Sequence, residues 1–188
     1  NIFVQGYRPG AIAKHGFGPE EVAAVRPGIV YVNLSAYGHV GPWSSWRGFD
    51  SLVQSATGIV HEGMIDAGAD RPLPLPCQAL DHATGYLAAF GAMIALKRRL
   101  EEGGSWMVRV SLAQTGKWFN DLGRVEGLGT KKPTRTEIAG LLQKHDSPFG
   151  IIEHVRPPET FSETQPYWSS GSVPLGSNEP RWHSSTRD

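Results

Sequence analysis

Apolar and polar positions change period several times along the chain, and each change marks an element. Ile2-Phe3-Val4 opens as an apolar run, read as a strand already under way and therefore as the middle of a domain. Gly6-Tyr7-Arg8-Pro9-Gly10 breaks it into a loop. Helical stretches are expected at 11–14 and 19–25, the second because Pro19 and Glu20-Glu21 suit a first turn. Pro27-Gly28 ends it. Ile29 to Leu34 is a β-branched run with little polar alternation, which marks a strand covered on both faces, as in a parallel sheet. Strand, helix and strand in this order make a βαβ unit.

The next stretch, Ser35 to Trp43, is glycine-rich and carries Tyr37 and Trp43 at the strand's carboxyl end, where open α/β sheets bind ligands. A helix is expected over Phe49 to Ala56, and polar surface loop over His61 to Asp70. Pro72, Pro74 and Pro76 hold the following segment extended. A long helix then runs to about Glu102, with Gly85, Ala88 or Ala89, Ala92 and Ala95 as a small-residue stripe for close packing. Gly103-Gly104 closes it. Trp106 to Leu112 reads as a strand and Ala113 to Leu122 as a helix. The expected fold is α/β: a partial Rossmann-like large domain with a parallel sheet over 1–126, a linker over 127–144 holding a turn or two of helix, and an irregular C-terminal extension over 145–188.

Asp81 stands where the extended segment turns into the long helix. An Asp there serves as an N-cap, its carboxylate accepting amide protons of the first turn. The same place suits a nucleophile, because the helix dipole favours an ionised carboxylate and carboxylates form covalent acyl intermediates. The two roles are compatible.

Composition narrows the partners. Lys and Arg total 18, as do Asp and Glu, so no overall charge favours nucleic acid or an anionic membrane. The single cysteine, Cys77, excludes an intrachain disulfide and fits a cytoplasmic location. No histidine and cysteine cluster has zinc spacing, so no metal is expected. Neither an apolar run of about 20 residues nor a signal peptide is read.

Taken in order, Gly6-Tyr7-Arg8-Pro9-Gly10, Gly16-Phe17-Gly18, Leu34-Ser35-Ala36-Tyr37-Gly38 with Gly41-Pro42, Gly48-Phe49-Asp50 with Gln54 and Gly58, Asp81 with Thr84-Gly85, Gly103-Gly104, and Val108 to Leu112 resemble the class III CoA-transferases. That superfamily includes formyl-CoA transferase, carnitine CoA-transferase and the α-methylacyl-CoA racemases, and the resemblance covers about residues 1–125. It implies that Asp81 attacks an acyl-CoA thioester, forming a mixed anhydride and then an aspartyl-CoA thioester that passes CoA to a carboxylic acid. It also implies that coenzyme A is contacted by Gly6, Tyr7, Arg8, Lys14, Trp46, Arg47, Gly48 and Phe49. Many members carry Asn where this chain has Gly6, so the polar contact implied there is missing unless Gln5 replaces it. The racemase branch places an acid/base histidine where this chain has Phe49, which cannot move a proton. Members of the family also carry a preceding nucleotide-binding segment and a small second domain, and they form interlocked dimers. A homodimer, or association with a chain bearing those segments, is therefore expected, with a non-catalytic structural subunit as the alternative.

Overall fold

In the computed structural model, whose described residues are 1–125 and 131–181, the β-branched run becomes the middle strand of a three-stranded parallel sheet. The strands are β1 (Ile2–Gln5), β2 (Val30–Ser35) and β3 (Trp106–Ser111), in that order across the sheet. Ile2 stands beside Val30, and Val30 beside Trp106. Val30, Tyr31 and Val32 are all buried, as a strand covered on both faces requires. α1 (Pro19–Val25) covers one face, where Val22 packs with Ile29 and Tyr31. α4 (Ala79–Glu102) covers the other, with Ala92 and Ala95 against Val30 and Val32.

The closeness of α4 to the sheet is set by residue size. A Cβ added at Gly91 would sit 2.6 Å from a methyl of Val108, so only glycine fits there without a shift. The packed stripe is Ala88, Gly91, Ala92 and Ala95, whereas Gly85 and Ala89 are exposed. Ala88, Ala92 and Ala95 of the expected stripe thus lie on the sheet, and the correction is confined to Gly85, whose place in the close contact is taken by Gly91. By length and composition alone α4 could cross a membrane, contrary to the reading that no such run exists. Here its small-residue face lies on the sheet, as a covering helix does.

A third cluster sits at the carboxyl ends of the strands. It joins Val53 of α2 (Asp50–Ala56), Ile59 of α3 (Ile59–Asp66), Leu80 of α4 and Leu112 of α5 (Leu112–Asp121). α3 replaces the surface loop expected over 61–70. His61, Glu62 and Asp66 occupy that helix, while its buried residues, Ile59 and Val60, lie just before the polar window and hid its period.

The two units of the chain are Asn1–Glu126 and Gly127–Asp188. In the second, α6 (Arg135–Ile138) begins with a capping box: Thr134 Oγ1 accepts the Glu137 N–H at 3.4 Å, and the Glu137 carboxylate accepts the Thr134 N–H at 2.7 Å. β4 (Leu142–Ser147) then pairs antiparallel with β5 (Gly150–Val155). This hairpin corrects the expectation of irregular structure from residue 145. Its strands carry charged partners, Lys144 beside Glu153, so apolar alternation does not announce them. Residues 156–181 hold no helix or strand, and 126–130 and 182–188, parts of the expected linker and extension, lie outside the described residues.

Gly91→Ala overfills the contact with Val108 and is expected to cost ~1–3 kcal/mol in urea unfolding. Gly85→Ala, with open space around it on an exposed helical face, is expected to gain up to ~1 kcal/mol. Equal stability of the two variants would contradict this packing.

Candidate active site

The site is built where α2 meets the start of α4. Gly48, just before α2, permits the meeting: a Cβ there would lie 2.8 Å from the Ala36 side chain and 3.0 Å from Tyr37 and Val53. Asp50, the first residue of α2, is 1% exposed. Its Oδ2 accepts the backbone N–H of Asp81 at 2.9 Å, and its Oδ1 accepts from the side-chain amide of Gln54. Gln54 in turn accepts the Leu75 N–H at 2.9 Å and donates to the Cys77 carbonyl at 3.2 Å. One buried Asp–Gln pair, four residues apart on a helix, thus holds both the segment entering α4 and its first turn.

This arrangement reassigns the cap. The N-cap position of α4 is Gln78, whose side chain makes no capping bond, and Asp81 lies in the first turn. The orphan amide of Asp81 is satisfied by Asp50 instead, a carboxylate from another helix. Asp81 as a whole residue is exposed while its carboxyl group is partly screened from solvent, and that carboxylate accepts no hydrogen bond among the described residues. Partial burial is the main cause that raises its pKa above the ordinary carboxylate value; the Asp50 charge adds to the rise and His82 opposes it. A carboxylate destabilised in this way is a better nucleophile than a fully solvated one.

The residues expected to contact coenzyme A occupy the carboxyl edge of the sheet in two groups. Gly6, Tyr7 and Arg8 form the turn after β1, all exposed, with Lys14 on a 3₁₀ turn (Ala13–His15) farther along the same connection. Buried Gln5 shapes that turn: it accepts the Tyr7 N–H at 2.8 Å and donates to Asn33 on β2. Trp46, Arg47, Gly48 and Phe49 lead into α2, with Phe49 83% exposed at the α2 N-cap position. Trp46 stacks on Trp43 at 5.2 Å, and Tyr37 meets both edge-on. The second group therefore adjoins the Asp50–Asp81 node. No hydrogen bond or ion pair joins the first group to Asp81 among the described residues. Sequence reasoning placed Asp50 and Gln54 in a motif but gave them no role. Their i, i+4 spacing is a visible signal, whereas their partners at 75–81 are not. Among the described residues no group of three or more metal-ligating side chains gathers.

The sequence profile of CoA-transferase family III matches residues 1–140. The chain belongs to that family. It is 33% identical over 153 residues to acetyl-coenzyme A transferase nodX of Hypoxylon pulicicidum, covering 79% of this chain and 24% of that protein. It is 32% identical over 113 residues to succinyl-CoA:glutarate CoA-transferase of Mus musculus, covering 60% and 25%. The crystal structure of Rv3272 from M. tuberculosis in its orthorhombic form matches with a TM-score of 0.58 at 29% identity, over 64% of this chain and 34% of that one. The chain thus spans about a quarter of the length of these curated relatives.

The electrostatic coupling can be read directly. Since the Asp50 charge raises the Asp81 pKa, Asp50→Asn is expected to lower it. It should remain above the ordinary value, because burial, the larger cause, persists. Carboxyl ¹³C titration of Asp81 measures the shift, and an upward or absent shift would refute the coupling.

Proposed function

We propose that this chain carries the nucleophile of a CoA-transferase that moves CoA from an acyl-CoA donor to a carboxylic acid. The observation that carries this reading is that Asp50, and not Asp81, caps α4, which leaves the Asp81 carboxylate uncommitted at a helix N-terminus. An oxygen of Asp81 attacks the thioester carbonyl, the C–S bond breaks, and CoA thiolate leaves a mixed anhydride. The thiolate then attacks the Asp81 carbonyl, releasing the donor's acid and forming an aspartyl-CoA thioester. The acceptor carboxylate attacks that thioester, giving a second anhydride and free thiolate. Attack of the thiolate on the acceptor's acyl carbon yields the new acyl-CoA and restores Asp81. Every step exchanges carboxylate for thiolate, so no proton need move, and positioning is the main contribution required of the protein.

Gly6, Tyr7, Arg8 and Lys14 after β1, and Trp46, Arg47, Gly48 and Phe49 before α2, are the proposed CoA contacts. Arg8 and Lys14 suit phosphate, and the exposed aromatic rings suit the pantetheine or thioester. Racemisation is disfavoured by Phe49, which offers no acid or base. A reducing cytoplasm fits the exposed free Cys77. Association with a second copy, or with a chain completing the fold, is supported by exposed Phe90, Met93 and Leu100 on α4 and by Val4, 67% exposed on β1.

With an acyl-CoA donor, and any chain that completes the fold, the protein is expected to form an adduct on Asp81, detectable by peptide mass spectrometry and convertible to a hydroxamate by hydroxylamine. Asp81→Asn should abolish transfer while changing stability by no more than ~1 kcal/mol, since only a dipole contribution is lost. A complete wild-type protein without adduct or transfer would sink the catalytic reading and leave a structural subunit. Sedimentation at micromolar concentration is expected to show a dimer or larger species; a monomer alone would count against association.

A further inference from the structure

We propose that a cavity beside the end of β3 is a binding site for an organic monocarboxylate with a short apolar body. The cavity is a cleft open to solvent, with a volume of about 440 Å³, within the ordinary range of small-ligand sites. It is lined by His39 from the loop after β2, Leu87 of α4, Arg109 and Val110 of β3, and Gln114 and Trp118 of α5. Leu87 lies six residues beyond Asp81, about 9 Å along the helix axis.

The polar groups of this cavity divide into committed and uncommitted ones. Ser111 Oγ accepts the Gln114 N–H at 3.3 Å, and Thr115 Oγ1 donates to the Ser111 carbonyl at 3.1 Å while sharing a 2.7 Å hydrogen bond with buried Thr84. Those hydroxyls fix the wall. Arg109, by contrast, forms no ion pair or side-chain hydrogen bond among the described residues, and no acidic side chain lines the cavity. His39 Nε2 is buried without a hydrogen-bond partner, a condition that native interiors seldom leave uncompensated.

Charge then selects the ligand class. Burial first, and the Arg109 guanidinium second, hold the His39 pKa below its ordinary value, which favours the neutral imidazole. The cavity therefore presents one permanent positive charge beside a neutral hydrogen-bonding ring. A planar monoanion matches that set: one carboxylate can take the forked donors of Arg109 and offer an acceptor to an imidazole N–H. A phosphate dianion would bring a charge with no counterpart. Leu87, Val110 and Trp118 supply the apolar wall for the acid's body. The binding claim stands without the transfer reading; only a role for this site in holding the acceptor acid would rest on it.

The test titrates the full chain with hexanoate in the absence of CoA and follows the His39 imidazole and Arg109 Nε resonances by NMR. Saturable shifts of both, competed by neither hexanol nor inorganic phosphate, are expected. Arg109→Gln should weaken hexanoate by about tenfold or more. Asp81→Asn, inactive if the transfer reading holds, should bind hexanoate as the wild type does, so failure of transfer and failure of binding are told apart. Should Arg109→Gln not fold, the wild-type contrast of hexanoate with hexanol still decides. Equal binding of acid and alcohol, tighter binding of phosphate, an unchanged affinity in folded Arg109→Gln, or no saturable shift would each overturn the proposal.

Discussion

The carboxylate of Asp50 is the constraint on which the candidate site depends. A buried carboxylate is costly unless its oxygens are satisfied, and here one takes the Gln54 amide while the other takes the first-turn amide of Asp81. Its position at the first residue of α2 and beside the first turn of α4 places it near the positive ends of two helices. Because these contacts are mutual, the relation between the two helices, and the entry of the 75–81 segment, follow from one residue. Val53, Leu80 and Leu112 add a dispersive, non-directional core beneath it. The polar clasp then gives that apolar contact a single geometry.

The elements most legible in the sequence were those whose own composition demanded them. β2 is nearly continuously apolar and is buried on both faces; α4 is long and strongly helical, and its C-terminal Gly103 has φ of 73°. Elements whose apolar residues are few or displaced were not legible. α3 buries Ile59 and Val60 at its very start, and the β4–β5 hairpin pairs Lys144 with Glu153. Both rely on partners far along the chain, or on backbone pairing that leaves little periodic trace.

The site divides along the same line. Asp81 was visible from its position before a helix, and the order of the short motifs carried the family. That Asp81 is not the cap was invisible, because the capping carboxylate comes from a residue 31 positions earlier. Local rules describe caps drawn from the adjoining residues. The meeting of His39 with Arg109 is likewise a product of strand register: β2 and β3 lie side by side, with Ser35 opposite Ser111, so the loop after β2 emerges next to the end of β3. No spacing in the sequence encodes that adjacency.

In Asp81 the amide that is gripped and the carboxylate that is offered belong to the same residue. A helix turns by about 100° per residue, so the grip acts as a rotational index: it fixes the azimuth of the side chain about the α4 axis without reference to the loop upstream. A carboxylate moved one place along, to position 80 or 82, would point about 100° away, toward the core occupied by Leu80 or to the flank where His82 stands. Length changes in the exposed stretch before Leu73 leave that index untouched, whereas a single residue inserted between Cys77 and Asp81 would reset it.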